Sequence, residues 1–198
     1  MSRPPNEAVA RRTGKQGSKA RDQILDAVEH LLVESGYAAV TYRAVAARAG
    51  VTPSLVQYYC PTLDELLVAA VRRRSEQSLR RMVAMLRDRP DQPLRVLWEF
   101  SADETNARLT IEFSALGNHR ASVRAEIVDH TNRLRAIQLE ALESSNLGDR
   151  LSPAAALFLL SGIPKMLRME EDFDIDVGHA DIVGLVEHGL DDLEQPGS

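Results

Sequence analysis

The chain has 198 residues, 44% of them apolar, with 24 Lys/Arg against 29 Asp/Glu and a formal charge of −5. That apolar share suffices for one large domain or two smaller ones, while a single cysteine, Cys60, excludes an internal disulfide framework and a cysteine-rich zinc site. The charge is uneven: residues 1–59 carry 8 Lys/Arg and 5 Asp/Glu and residues 60–198 carry 16 and 24, so phosphate chemistry belongs to the amino-terminal part and an acidic body follows it.

Residues 1–18 combine Arg3, Arg11, Arg12 and Lys15 with Pro4, Pro5, Gly14 and Gly17 and offer few apolar side chains to bury. They predict a flexible basic arm, either a solvated tail or a source of extra phosphate or minor-groove contacts. From residue 19 a helical period sets in, with Ile24, Leu25, Val28, Leu31 and Leu32 on one face before Ser35-Gly36. Thr41 then caps a short helix that Gly50 stops, and Thr52-Pro53 start another that reaches Tyr59. Two helices across so short a turn predict a helix-turn-helix, whose second helix inserts its first residues into the major groove.

Thr62-Leu63-Asp64-Glu65 reads as a capping box, with Glu65 reaching back to the backbone of Thr62. It opens a long helix over residues 63–87 whose apolar stripe is unbroken by Gly or Pro until Pro90. Further helices are expected over 93–104, over 106–116 ending at Gly117, over 121–144, after Ser152-Pro153, and from His179 or Ala180 to about 193. No alternating strand pattern is present, so the chain reads as all-α with about nine helices. The longest apolar run, 154–160, is too short to span a bilayer, and the amino terminus lacks a signal-peptide core; a soluble, cytoplasmic protein away from membranes is expected.

The segments ILDAVEHLLVESGY, TYRAVAARAGV, TPSLVQYY, Pro61 and LDELL together resemble the DNA-binding domain of the TetR (tetracycline-repressor-like) family of transcriptional regulators. The resemblance implies a three-helix DNA-binding domain over 19–67 and a ligand-binding and dimerisation domain over 68–198. It implies a homodimer paired through its last two helices on a pseudo-palindromic double-stranded operator, acting as a repressor that a small molecule releases. Carried onto this chain, Thr41, Tyr42 and Arg43 lie at the start of the second helix, Thr52, Pro53, Ser54 and Gln57 on the recognition helix, and Tyr58 and Tyr59 at its end. The side-chain chemistry agrees: hydroxyls donate to phosphate oxygens, Arg43 suits guanine and Gln57 suits adenine. Thr41 and Thr52 are also ordinary caps, and Tyr59 either contacts DNA or packs inward. The chain departs from the family at Cys60, where an aromatic residue is common, and at Leu63, where a lysine is common. Cys60 reads as a small buried hydrophobe rather than a redox sensor.

In the carboxyl-terminal part, the run 154–163 is apolar nearly all round and should be buried on most sides, and Ile182, Val183, Val186, Leu190 and Leu193 form one stripe on the last helix. Internal core explains both, as does pairing with a second copy, for which Gly162, Gly184 and Gly189 allow close approach; Pro164 should kink its helix. Between the long helix and these segments, Trp98, Asn106 and Phe113 are the leading candidates to line a ligand pocket, and the effector is expected to be largely apolar. Two rival readings stand beside the regulator. An enzyme is suggested only by Glu126 and His130, four apart, with Glu112 and His119 nearby; HExxH, phosphate-loop and serine-elbow motifs are missing, and neither cofactor nor metal is expected. An architectural DNA-coating protein would call for a basic chain throughout, which residues 60–198 are not.

Overall fold

The computed structural model describes residues 6–143, 145, 147 and 151–194, with the side chains of 6–17 and 104–107 excepted. Among the described residues the chain forms nine α-helices and no strand. They are α1 (Asn6–Ser35), α2 (Tyr42–Ala49), α3 (Pro53–Tyr59), α4 (Leu63–Asp88), α5 (Pro93–Ala102), α6 (Glu104–His119), α7 (Ala121–Leu142), α8 (Pro153–Glu171) and α9 (His179–Glu194).

Over the span expected to form a flexible arm, residues 1–18, the backbone is helical from Asn6 onward. Glu7, Ala8, Ala10, Arg11, Arg12, Lys15 and Gln16 are good helix formers, and Gly14 and Gly17 cost only about 1 kcal/mol each relative to alanine. Residues 1–5 lie outside the described residues. A 3₁₀ turn, Tyr37–Ala39, follows α1 and was not expected; Gly36 enters it at φ 71° and ψ 179°, a region that only glycine occupies without strain.

The turn between α2 and α3 is built as its residues predict. Thr41 Oγ1 accepts the Ala44 N–H at 3.2 Å, and Gly50 takes the left-handed conformation at φ 67° and ψ 33°. The Val51 N–H then reaches Ala46 O at 3.0 Å and the Gly50 N–H reaches Ala47 O at 3.4 Å, the paired bonds of a Schellman ending. Gly50→Ala should therefore lower stability by about 1–2 kcal/mol, the cost of a side chain in the left-handed region. A lower urea midpoint at unchanged slope is the expected reading. At α4, Thr62 Oγ1 accepts the Glu65 N–H at 3.1 Å and donates its hydroxyl to Glu65 Oε1 at 3.1 Å, so the return bond lands on the hydroxyl rather than on the backbone.

Gly117 does not stop α6, which runs on to His119. A Cβ at residue 117 would lie 3.0 Å from Ile127 Cδ1 and 3.5 Å from Arg124 Cα, so the glycine is there to let α6 meet α7.

Two apolar cores result. The first joins Ile24, Val28 and Leu32 of α1, Val45 and Val56 of the helix-turn-helix, and Leu66 and Leu67 of α4 to Leu109, Phe113, Leu116 and Val123 of α6 and α7. The second gathers Met82, Leu94, Leu97, Trp98, Phe100, Leu142, Leu157, Leu160 and Leu190. Helix α4 runs through both, so the expected boundary at 67–68 falls inside one continuous helix. Within the single chain 154–163 is covered on one side only: Ala156, Leu157 and Leu160 are buried, while Phe158 is 69% and Leu159 47% exposed. Helix α8 continues through Pro164, which is itself buried.

Candidate nucleic-acid interface and effector cavity

Helices α2 and α3 are held from behind and left open in front. Val45, Ala46 and Val56 are buried against α1, and Arg48 pairs with Glu34 of α1 through two bonds, at 2.6 and 2.7 Å. That guanidinium keeps the Glu34 carboxyl below its usual range. The front carries Thr41, Arg43, Thr52, Pro53, Ser54, Gln57 and Tyr58, all exposed. Thr41 and Thr52 act as caps, Thr52 Oγ1 accepting the Leu55 N–H at 3.3 Å and lying 3.0 Å from Ser54 Oγ. Arg43 and Gln57 have no hydrogen-bonding or ionic partner among the described residues. Neither α2 nor α3 has an acidic residue in its first turn, whereas α4 has two, Asp64 and Glu65. The positive ends of α2 and α3 are thus left for an outside anion.

Two of the expected contact residues are partly buried. The half-buried Tyr42 donates its hydroxyl to Cys60 O at 3.0 Å, so its phenol ties α2 to the turn before α4 instead of reaching outward. Tyr59 is half-buried against the first core, and its ring meets Tyr58 edge-on at 5.4 Å; only Tyr58, 78% exposed, faces out. Cys60 is buried, and that burial pushes its thiol pKa up, which suits an inert packing residue.

A cavity of about 180 Å³ opens at the seam between the two cores. Val71, Leu109 and Phe113 of the first core and Phe100 of the second line it, together with Ser75, Ser78, Ser101, His130, Arg135, Gln138 and Lys165. Phe113 is where the sequence placed it. Trp98 is corrected: it packs in the second core and does not line the cavity. The Asn106 side chain lies outside the described residues. Glu126 and His130, read as a possible pair, have separate tasks, since Glu126 binds Arg72 of α4 while His130 faces the cavity. The serines and Gln138 were missed. They interrupt otherwise apolar stripes on α4, α5 and α7, and that interruption was the available signal.

Side-chain bonds join α4, α7 and the α6–α7 turn to one another and to α1 and the 3₁₀ turn that precede the helix-turn-helix. Arg73 of α4 donates to Glu29 Oε1 of α1 at 2.7 Å and to Asp22 O at 3.0 Å. Arg133 of α7 holds Glu76 of α4 at 2.8 Å. Arg120, at the α6–α7 turn, donates both to Asp64 at the start of α4 and to the Tyr37 hydroxyl, with its guanidinium 5.0 Å from the Tyr37 ring.

A helix-turn-helix with an open front, joined by one long helix to an all-helical body with an internal cavity, defines a DNA-binding transcriptional regulator. Residues 24–70 match the family model of the tetR family of bacterial regulatory proteins. The chain is 26% identical over 151 residues to the HTH-type transcriptional regulator BetI of Rhizobium meliloti (strain 1021), covering 70% of this chain and 73% of that one. The multidrug binding protein EbrR, solved with imidazole, is 25% identical with a TM-score of 0.59, covering 90% of this chain and 96% of its own. A regulator from Saccharomonospora viridis, solved with choline, shares the fold at 19% identity and a TM-score of 0.60, covering 77% of this chain and 85% of its own.

Proposed function

We propose that the chain is a repressor that binds a pseudo-palindromic operator as a homodimer and is released when a small molecule enters the seam cavity. The carrying observation is the pair Arg43 and Gln57, exposed and unpaired among the described residues on two helices whose first turns hold no acid. Arg43 sits where a cation opposes the positive end of its own helix, a placement that a bound phosphate or guanine turns from unfavourable to favourable. Thr41, Thr52, Pro53, Ser54 and Tyr58 complete the contact surface. Tyr42 and Tyr59 support it from behind.

The dimer reading rests on exposed apolar side chains. Of the 12 large hydrophobics left exposed among the described residues, nine lie between Phe158 and Leu193, among them Met166, Met169 and Leu185 on α8 and α9. A monomer seldom leaves so concentrated an apolar surface in water. A Cβ at Gly162, Gly184 or Gly189 would meet nothing within 4 Å, so no close approach inside the protomer requires these helix glycines. A second copy on this face accounts for both features. The double variant Phe158→Glu, Leu185→Glu is expected to sediment as a folded monomer and to lose operator binding; a variant that stays dimeric would refute pairing through α8 and α9.

The effector reading rests on the cavity's position. Its walls come from α4 to α8, and only three residues separate the end of the recognition helix from the start of α4. A ligand that spreads the two cores would tilt α4 and change the spacing of the paired recognition helices. Imidazole and choline bound to fold relatives favour small-molecule control over the architectural alternative. Titrating candidate effectors against an operator complex tests this reading, with concentration-dependent release expected.

A further inference from the structure

We infer that the seam cavity takes a compact organic anion, with a ring-sized apolar body against Phe100 and Phe113 and its charged end at Arg135 and Lys165. The inference rests on the effector reading above and names the ligand's charge and size.

Four polar residues are buried among the described residues, Ser75, Ser78, Ser101 and Gln138, and all four line this one cavity. None hydrogen-bonds to another protein group through its side chain among the described residues. Their polar atoms are not sealed off without a partner but open onto the cavity, and their convergence on one space marks a site for a polar ligand group. His130 adds a further group there: its Nδ1 is buried without a hydrogen-bond partner. Burial lowers the His130 pKa, which favours a neutral ring able to donate or accept.

The lining is also one-sided in charge. Arg135 and Lys165 sit close enough that Arg135, after burial, helps lower the Lys165 pKa, and neither has an ionic partner among the described residues. No Asp or Glu is among the described lining residues. The nearby acids that act on His130, Glu76 and Asp129, are both bound to Arg133. Two cations left close together without a counter-ion repel a cationic ligand and reward an anion that bridges them. The volume, about 180 Å³, limits the body. An apolar cavity of roughly 150 Å³ accepts benzene, so one ring with one small charged substituent fits. The largely apolar effector expected from sequence thus keeps its apolar body and gains a charged end.

Benzoate, benzamide and benzamidinium share one shape and differ in charge, which makes them direct probes by titration calorimetry on the full chain. Benzoate is expected to bind about tenfold or more tightly than benzamide, the usual scale of a charge-assisted hydrogen bond, and benzamidinium to bind least. Arg135→Gln and Lys165→Gln, at positions that belong to neither apolar core, should each remove most of the benzoate advantage and leave benzamide unchanged. Benzamidinium binding as tightly as benzoate, benzoate binding indifferent to both substitutions, or no binding by any of the three would overturn the inference. A parallel operator-release assay separates the two levels. Release by choline or imidazole, with benzoate neither bound nor able to release, would sink the anion and keep the effector reading. Benzoate bound with the predicted charge preference but without release would keep the anion site and sink the effector reading.

Discussion

Replacing Arg43 and Gln57 together by alanine is expected to abolish sequence preference while leaving the fold intact. Both side chains are exposed, neither has a partner among the described residues, and neither packs in a core, so their removal should change thermal stability little. Each would form a bidentate base contact worth about 1–3 kcal/mol of discrimination. Losing both would bring specific affinity down by roughly a hundredfold or more, towards the salt-dependent background. Fluorescence anisotropy with an operator and a scrambled duplex at fixed salt is the measurement. Single variants should relax preference at different base positions, a guanine for Arg43 and an adenine for Gln57. Equal losses on both duplexes would instead mean that the two residues touch phosphate alone.

Arg120→Ala is expected to disconnect effector binding from operator release. Arg120 is the one residue seen to bond the α6–α7 turn at once to the start of α4 and to the 3₁₀ turn behind the helix-turn-helix. Each charge-assisted hydrogen bond is worth about 1.5–3 kcal/mol where sheltered, and the guanidinium over the Tyr37 ring adds about 0.5–1 kcal/mol. Asp64 is nearly half exposed and keeps a bond from Ser122 Oγ at 3.3 Å, so the total lies towards the lower end of those ranges. The variant should show faster amide exchange over residues 36–67 and need a higher effector concentration for half-release, with effector affinity itself unchanged. Arg120→Lys retains the charge facing Asp64 but lacks the second arm for Tyr37, and should fall between. A release curve indistinguishable from that of the parent protein would assign Arg120 to stability alone.

The parts of this molecule that were legible in sequence are those set by neighbours along the chain. Thr41, Gly50, Thr52, Pro53 and Thr62 fix helix ends through contacts three or four residues away, and each end lies where these residues put it. Residues joined across long separations were not legible. Tyr42 and Cys60 are 18 apart, and Arg120 lies 83 residues from Tyr37; no periodicity announces either pair. The same limit explains Trp98, a pocket candidate by its place in the sequence, whose helix turns it into the second core. The cavity's polar lining had a local trace that an apolar-stripe reading passes over: Val71, Ser75, Ser78 and Met82 share one face of α4, and the two serines break its stripe where the cavity opens. For α8 the sequence admits both internal core and pairing with a second copy, because apolar composition alone does not say whether the covering surface belongs to the same chain.

Selection of bound duplexes from random or genomic DNA by the purified full chain tests most directly whether residues 41–59 form one half of a paired sequence reader. The predicted result is enrichment of two inverted half-sites with fixed spacing, their centres about one helical turn or a multiple of it apart, with the motif lost in the Arg43→Ala, Gln57→Ala variant. Recovery of duplexes without a shared motif, retained in proportion to length and falling uniformly with salt, would contradict it.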